Sequence, residues 1–354
     1  MTEIDEASVV IDIDNPSSDS MSAVTRRVRG PYFDELEVGM QFADAPAVTL
    51  TDGLVGTHRA IVGNRLRLFL DHTLAQEVTG RTGLVPPAVV WDTSIGQSTT
   101  VTQHVKANLF YRGLAFRRYP AVGDTLSTVT TIDGLKENPR REGRRPTGLA
   151  ALRIVTSDQN AQVVLEYWRC AMLPLSSDDA AAGPRDDLDV VGRQSTPADV
   201  STGIADWDLA RFKERVPGPH FADLRVGQTW IVEGAEVVSS APELARLTGN
   251  LAAVHHDAVA AGGSRLVYGG HTIGLALNQT VRALPAMVTV GGWSGCDHVG
   301  PVHEDDTITS VISVQGLDPL PGGGGLAHLR VTADAGPAGV ARPVLYWTFS
   351  AVLA

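Results

Sequence analysis

Two stretches of the chain hold the residue types needed for acid–base chemistry on a carbonyl compound. Residues 248–257 read TGNLAAVHHD, with two adjacent histidines and an aspartate after a Gly-Asn pair. Residues 267–271 read VYGGH and precede an apolar segment of helical period. A histidine serves as a general base near neutral pH, and a backbone amide at the start of a helix can hold an oxyanion. Together the two stretches predict a site that activates water beside a carbonyl group.

Length and composition predict a cytoplasmic protein with two globular domains. The chain has 354 residues, of which 43% are hydrophobic, enough for two packed cores. It has no apolar run of about 18 residues, and its acidic start lacks the pattern of a secretory signal. The formal net charge of −11 argues against nucleic acid or an anionic membrane as a partner. Only Cys170 and Cys296 are present, which is typical of a reducing compartment.

The sequence contains a long internal repeat. Residues 30–33 read GPYF and residues 218–221 read GPHF, and an LxVG element follows each of them. The Gly-Asn pair at 63–64 matches the pair at 249–250 at an offset of 186. Later elements match in the same order at smaller offsets, as expected after a duplication followed by small loop deletions. Repeats of this length are whole domains.

The repeat divides the chain into four parts. We expect a disordered acidic leader over residues 1–28 and a first domain over 29–174. A stretch rich in Ser, Asp, Ala and Pro over 175–216 has the composition of a linker. The second domain, which carries the predicted site, covers 217–354.

Each domain is predicted to have one long helix followed by β-strands. The predicted long helices cover residues 88–104 and 271–284, and a short helix is predicted over 243–248. The predicted strands are residues 126–132, 149–156, 163–173, 307–314, 326–332 and 344–353, which are rich in β-branched and aromatic residues. This pattern predicts an α+β fold in which an antiparallel sheet wraps a helix.

The second repeat resembles the MaoC-like dehydratase family. R-specific enoyl-CoA hydratases of that family carry a Gly-Asp-x-Asn-Pro-x-His-x-Asp segment, and residues 249–257 (GNLAAVHHD) keep its spacing. The first repeat is similar to the mesaconyl-CoA hydratase (β-methylmalyl-CoA dehydratase) branch at residues 61–72 and in the string KANLFYRGLAF at 106–116. The resemblance covers about residues 30–173 and 217–354. It implies a double hotdog fold.

The resemblance also implies the catalytic residues. His255 falls on the family's catalytic histidine, and Gly270 falls on the glycine whose N–H forms the oxyanion hole. Asn250 stands where the family has an aspartate, and an amide cannot transfer a proton as a carboxyl does. Asn250 is therefore expected either to hold a water by hydrogen bonding or to cap a helix end.

Only the second repeat is expected to be active. Phe69 is the counterpart of His255 at the offset of 186, so the first repeat lacks the base. Aligning residues 84–87 with 267–270 places Pro87 opposite Gly270, and proline has no N–H to donate. We interpret the first repeat as a degenerate half that widens the acyl pocket.

Several other residues are candidates for substrate binding. Asp257 is expected either to orient a histidine or to cap a helix. Arg140 and Arg141, in the loop KENPRREGRR, are expected either to be solvated or to contact the phosphates of coenzyme A. Arg65 and Arg112 are candidates to pair with a second carboxylate on the acyl group.

No metal site is expected. The cluster CDH at residues 296–298 and the cluster HEDD at 303–306 match no strong ligand spacing.

The predicted function is hydration of a 2-enoyl-CoA or dehydration of a 3-hydroxyacyl-CoA, with a short branched dicarboxylic acyl group such as mesaconyl. No separate cofactor is expected, because coenzyme A arrives as part of the substrate. Two alternatives are a CoA-thioester-binding protein with little or no activity and an acyl-CoA thioesterase. The expected assembly is a monomer or a homodimer of double hotdogs, without nucleic-acid or membrane partners.

Overall fold

The computed structural model describes residues 26–180, 183–192, 197–336 and 340–354. Residues 1–25, most of the predicted leader, lie outside this part of the chain. The helices are α1 Asp52–Val62, α2 His72–Thr79, α3 Pro87–Gln97, α4 Pro197–Ser201, α5 Leu209–Arg215, α6 Ala241–Leu247 and α7 Gly269–Ala283. No helix in these ranges has both the length and the apolar character needed to cross a membrane.

All the strands are antiparallel. They are β1 Gln41–Phe42, β2 Val48–Thr49, β3 Ala107–Phe116, β4 Thr125–Glu137, β5 Thr147–Ser157, β6 Val163–Pro174, β7 Thr229–Ile231, β8 Glu236–Val237, β9 Met287–His298, β10 Thr307–Pro319, β11 Gly325–Ala335 and β12 Arg342–Leu353. They form one 12-stranded sheet with the order β1-β4-β5-β6-β3-β9-β12-β11-β10-β7, and β2 and β8 extend β4 and β10. The order of the first half is repeated in reverse in the second half. The α+β double hotdog prediction is therefore confirmed.

The two halves are joined by pairing between β3 and β9. Tyr111 pairs with Cys296, and Leu114 pairs with Trp293. Trp293 is the counterpart of Tyr111 at an offset of 182, and Cys296 is the counterpart of Leu114 at the same offset. A pseudo-twofold axis between the strands therefore relates one pair to the other. At this place in the fold the two halves are thus related by an offset of 182.

The two long helices are enclosed by the sheet. Every residue of α3 is buried, and so are most residues of α7. Trp91 of α3 packs edge-on against Trp293 of β9, with 4.9 Å between ring centroids. The aromatic core thus crosses from one half to the other.

The structure corrects several element boundaries. The long helix predicted over 88–104 ends at Gln97 and continues only as a 3-10 turn to Val101. The second long helix begins at Gly269, two residues before the predicted start. Strands β3 and β9 were not predicted.

The connection predicted as a linker contains helices α4 and α5. Phe212 on α5 is fully buried, and Arg211 and Arg215 both form ion pairs with Glu77 on α2. The described part of the connection therefore folds against the first half.

We predict that Gly96 is required for the contact between the halves. A Cβ at Gly96 would overlap the backbone carbonyl of Thr248, so Gly96→Ala should lower the free energy of unfolding by about 1–3 kcal/mol. Gly56 on α1 has open space around its Cα, and Gly56→Ala should raise stability by about 0.5–1 kcal/mol. Urea unfolding of both variants measures the difference. Equal stability of the two variants would contradict the prediction.

Candidate functional site

A cavity of about 330 Å³ lies where the two halves meet. Residues 105–108 of the first half form one wall. The second half contributes Val254 and His255, the start of α7, and residues 298–302. The predicted base therefore faces a hollow that neither half could form alone.

His255 is held in the tautomer that suits a base. It ends a 3-10 turn over Ala253–His255, and its Nδ1 lies 2.9 Å from the carbonyl oxygen of Leu266. Because a carbonyl oxygen only accepts hydrogen bonds, Nδ1 carries the proton. The lone pair is left on Nε2. The His255 ring also meets the Tyr268 ring edge-on at 5.8 Å.

Burial keeps the imidazole of His255 uncharged at neutral pH. Removal from water lowers its pKa to about 4, although the hydrogen bond to the Leu266 carbonyl acts in the opposite direction. The neutral, proton-accepting form of His255 therefore predominates above about pH 5.

A second histidine, His298, lines the same cavity. It is the last residue of β9, and its Nε2 is buried without a hydrogen-bond partner. In the sequence, His298 belongs to the CDH cluster at residues 296–298, at which no metal site is expected. Its counterpart at the offset of 182 is Phe116, and comparison of the two repeats at that offset is the signal that would have found it.

Of the two glycines at the start of α7, Gly269 is the one that lines the cavity. Val85 N–H donates to the Pro120 carbonyl, and Val267 N–H donates to the Val302 carbonyl, so both bonds repeat at an offset of 182. The predicted pairing of Pro87 with Gly270 is therefore wrong by one residue. Pro87 begins α3 just as Gly269 begins α7.

Gly270, the second residue of α7, is buried beneath the cavity wall. A Cβ there would overlap the Asp92 carboxylate and the Tyr268 ring, which explains the need for a glycine. Its predicted oxyanion role stays a prediction, and Gly269 is a second candidate for that role.

Asn250 is part of a local turn rather than of the cavity lining. Its Oδ1 accepts a hydrogen bond of 2.9 Å from the Ala252 N–H. Its counterpart Asn64 makes the same turn, accepting from the Leu66 N–H at 3.0 Å. Because the half without an imidazole at this place keeps the same turn, the turn made by Asn250 is a property of the fold.

The other candidates lie away from the cavity lining. Asp257 is exposed, and its Oδ1 accepts from the Val259 N–H, so it stabilises a turn. Arg112 stacks on Phe110 at 3.7 Å and donates to the backbone at 188 and 191. Arg65 is exposed in the first half.

Arg140 and Arg141 are exposed in the basic loop of the first half. Arg140 donates to the Glu137 carboxylate and to the Asp178 carbonyl. The loop borders a wide hollow.

A buried polar network supports the start of α7 from below. The Asp92 carboxylate is fully buried. Its Oδ1 accepts from the Tyr268 hydroxyl at 3.0 Å, and its Oδ2 lies 2.8 Å from His58 Nε2. Two residues of the first half thus fix Tyr268, whose ring contacts His255.

The equivalent place in the first half is filled by aromatic rings. Phe69 and Phe116 stand at the positions of His255 and His298, and Tyr119 packs against both, stacked on Phe116 at 4.9 Å. The Tyr119 hydroxyl donates to the Val290 carbonyl at 2.7 Å. The first half therefore has phenyl rings instead of imidazoles at both positions.

Among the described residues, no group of three or more His, Cys, Asp and Glu side chains is arranged to hold a metal ion. Cys296 is buried in the sheet and Asp297 is exposed.

The chain is similar to two curated proteins that are named for reactions on CoA thioesters. It is 27% identical over 327 residues to β-methylmalyl-CoA dehydratase of Chloroflexus aurantiacus, which covers 89% of this chain and 90% of that protein. It is also 27% identical over 317 residues to mesaconyl-CoA hydratase of Cereibacter sphaeroides, over 86% of this chain and 89% of that protein. A scan against protein-family profiles finds no match.

Two solved structures are similar over nearly their full length. A conserved hypothetical protein from Mycobacterium tuberculosis with a double hotdog fold is 50% identical, with a TM-score of 0.87 over 92% of this chain and 99% of that chain. A Chloroflexus aurantiacus protein named as a MaoC domain dehydratase is 25% identical, with a TM-score of 0.80 over 94% of this chain and 99% of that chain.

We predict that the His255 ring titrates near pH 4, well below its ordinary pKa, because burial penalises the charged form. A pH titration by NMR should show its ring-proton shifts constant above about pH 5.5 and moving as pH falls through 4. Loss of one signal in His255→Gln identifies the resonance. A midpoint near 6.5 would show that the ring is solvated.

Proposed function

Since the chain belongs to the MaoC-like dehydratase family in its double hotdog form, we propose that it is a hydro-lyase acting on a CoA thioester. It adds water to a 2-enoyl-CoA or removes water from a 3-hydroxyacyl-CoA. The observation that carries the proposal is His255, which lines the cavity between the halves with its proton on Nδ1 and its lone pair on Nε2. The names of the two curated relatives support the same class of reaction.

In the hydration direction, His255 acts on the reacting water. Nε2 accepts a proton from the water as its oxygen bonds to the β-carbon. The electron pair of the double bond moves toward the α-carbon and the thioester oxygen. The first amides of α7, those of Gly269 and Gly270, are proposed to receive the charge on that oxygen, because the N–H groups at a helix start lack partners within the helix and point outward.

We propose that the coenzyme A part of the bound substrate extends out of the cavity along the first half. The cavity shares Val105 and Lys106 with a second hollow of about 110 Å³, which also touches Arg145. Arg145 in turn borders a hollow of about 720 Å³ with Arg140 and Arg141. This series of hollows leads from His255 to a group of guanidinium side chains, which suit phosphate groups. No separate cofactor takes part in the proposed reaction.

The acyl group is proposed to be short, branched and dicarboxylic, as in mesaconyl-CoA. The names of the relatives favour it, and so does the limited size of the cavity.

We predict that His255→Ala lowers kcat for hydration by at least about 100-fold, the ordinary contribution of a general base. Turnover is followed as loss of the enoyl-thioester absorbance with mesaconyl-CoA and crotonyl-CoA. His72→Ala, at an exposed histidine of α2, is the control and should match the unaltered protein. Full activity of His255→Ala would refute the assignment. Release of free coenzyme A would indicate a thioesterase, and binding without turnover would indicate a binding protein.

We predict that Lys106→Glu raises KM for a CoA thioester about tenfold, because it reverses a charge on the path proposed for the phosphates. KM for the matching N-acetylcysteamine thioester, which lacks the phosphates, should change little. Lys213→Glu, at an exposed position on α5, makes the same charge change elsewhere and should leave both values unaltered. An equal rise for both substrates would place the phosphates elsewhere.

A further inference from the structure

We propose that His298 is a second catalytic residue of this site, which holds the reacting water together with His255. It would do the work that a carboxylate does in the related sequence motif. This proposal rests on the proposed hydro-lyase function.

The composition of the cavity lining favours a second histidine over a carboxylate. No aspartate or glutamate is among the described residues that line it. The ionisable lining residues are Lys106, His255 and His298. Lys106 is exposed to solvent, so the two histidines are the ionisable groups inside the cavity.

The surroundings of His298 fix its ring beside the start of α7. A Cβ at Gly269 would overlap Nε2 of His298, so the ring packs directly on that glycine. The Tyr111 ring meets it edge-on at 6.1 Å. The Nε2 atom of His298 is buried without a hydrogen-bond partner, and such an atom in a cavity wall calls for an explanation. The ring is thus held firmly while part of its hydrogen-bonding capacity is unused.

The internal repeat provides an independent argument. The first half has phenylalanine at both positions, Phe69 for His255 and Phe116 for His298. Both imidazoles are therefore absent from the half whose equivalent space is filled. Asn250, by contrast, has the same residue and the same turn in both halves. Of these three positions, only the two histidine positions distinguish the open site from the filled one.

The charge state of the pair fits a shared water. Burial and, to a smaller extent, the nearby His255 lower the pKa of His298 to about 4. Both rings are then neutral at pH 7, and each has one nitrogen lone pair. A water molecule has two O–H groups, so one can donate to His255 Nε2 and the other to the ring of His298.

The proposed step conserves atoms and electrons. As the water oxygen bonds to the β-carbon, one proton passes to His255 and the electron pair of the double bond moves to the α-carbon and thioester oxygen. The other proton stays on the new hydroxyl, which donates to His298 throughout. The α-carbon then takes the proton from the His255 imidazolium. One water has been added, and both histidines return to their starting states.

The test compares His298→Phe, which introduces the residue of the first half, with His298→Asn, which keeps a polar group. His298→Phe should lower kcat for hydration of an enoyl-CoA at least about 100-fold, with KM changed less than about threefold. His298→Asn should retain more activity. His328→Phe, at a half-buried histidine on β11 that bonds to Asp318 and Ser350, is the control and should keep full activity.

A double variant tests the shared water directly. His255→Ala combined with His298→Phe should be no slower than the slower single variant, because both residues act on one molecule. Losses that multiply would overturn the proposal, as would His298→Phe with unchanged kcat or with a change in KM alone. Thermal unfolding confirms that each variant is folded, and His298→Asn serves if the phenylalanine variant is not.

The outcomes separate this proposal from the proposed function. An inactive His255→Ala with a fully active His298→Phe refutes only the role of His298. An unaltered protein that hydrates no enoyl thioester refutes both.

Discussion

Antiparallel pairing between β3 and β9 is the constraint on which the rest of the structure depends. It makes one sheet of two repeats and places them about a pseudo-twofold axis, with Tyr111 opposite Cys296 and Leu114 opposite Trp293. The backbone that leads into β3 becomes a wall of the cavity that His255 enters from the second half. Two equivalent sites follow from this symmetry, and the side chains at each one decide that only one of them is open.

The open site also depends on a buried charge-bearing side chain. Asp92 has no access to solvent, and an unpartnered carboxylate in that position would be strongly destabilising. His58 and Tyr268 satisfy it from two different halves, so the requirement to bond Asp92 also fixes the approach to α7. The Tyr268 ring, which contacts His255, is thus positioned by a hydrogen bond to Asp92 outside the cavity.

The fold and the histidine that lines the cavity could be predicted from the sequence because both leave local signals. Periodicity marks the enclosed helices, and His255 stands at fixed spacing within the repeat. Strand β9 was not predicted because a strand buried on both faces has no alternation of apolar and polar residues. Its Gly292 lies against the Leu114 backbone, a contact visible only in the sheet. The pairing of Pro87 with Gly270 was wrong by one residue because the offset between the halves changes from 186 to 182 through loops of unequal length. The turn made by Asn250 and the packing of His298 on Gly269 depend on side-chain directions that spacing does not determine.

The wall formed by residues 105–108 has an evolutionary consequence. Those residues belong to the half that has lost its own imidazoles, so mutations there can reshape what the cavity admits while the reacting groups stay unchanged. Duplication has in this way placed part of the cavity wall in one repeat and the two histidines in the other, whereas a single repeat must provide both. Divergence of substrate preference among such proteins would then be recorded mainly in the half without the two histidines.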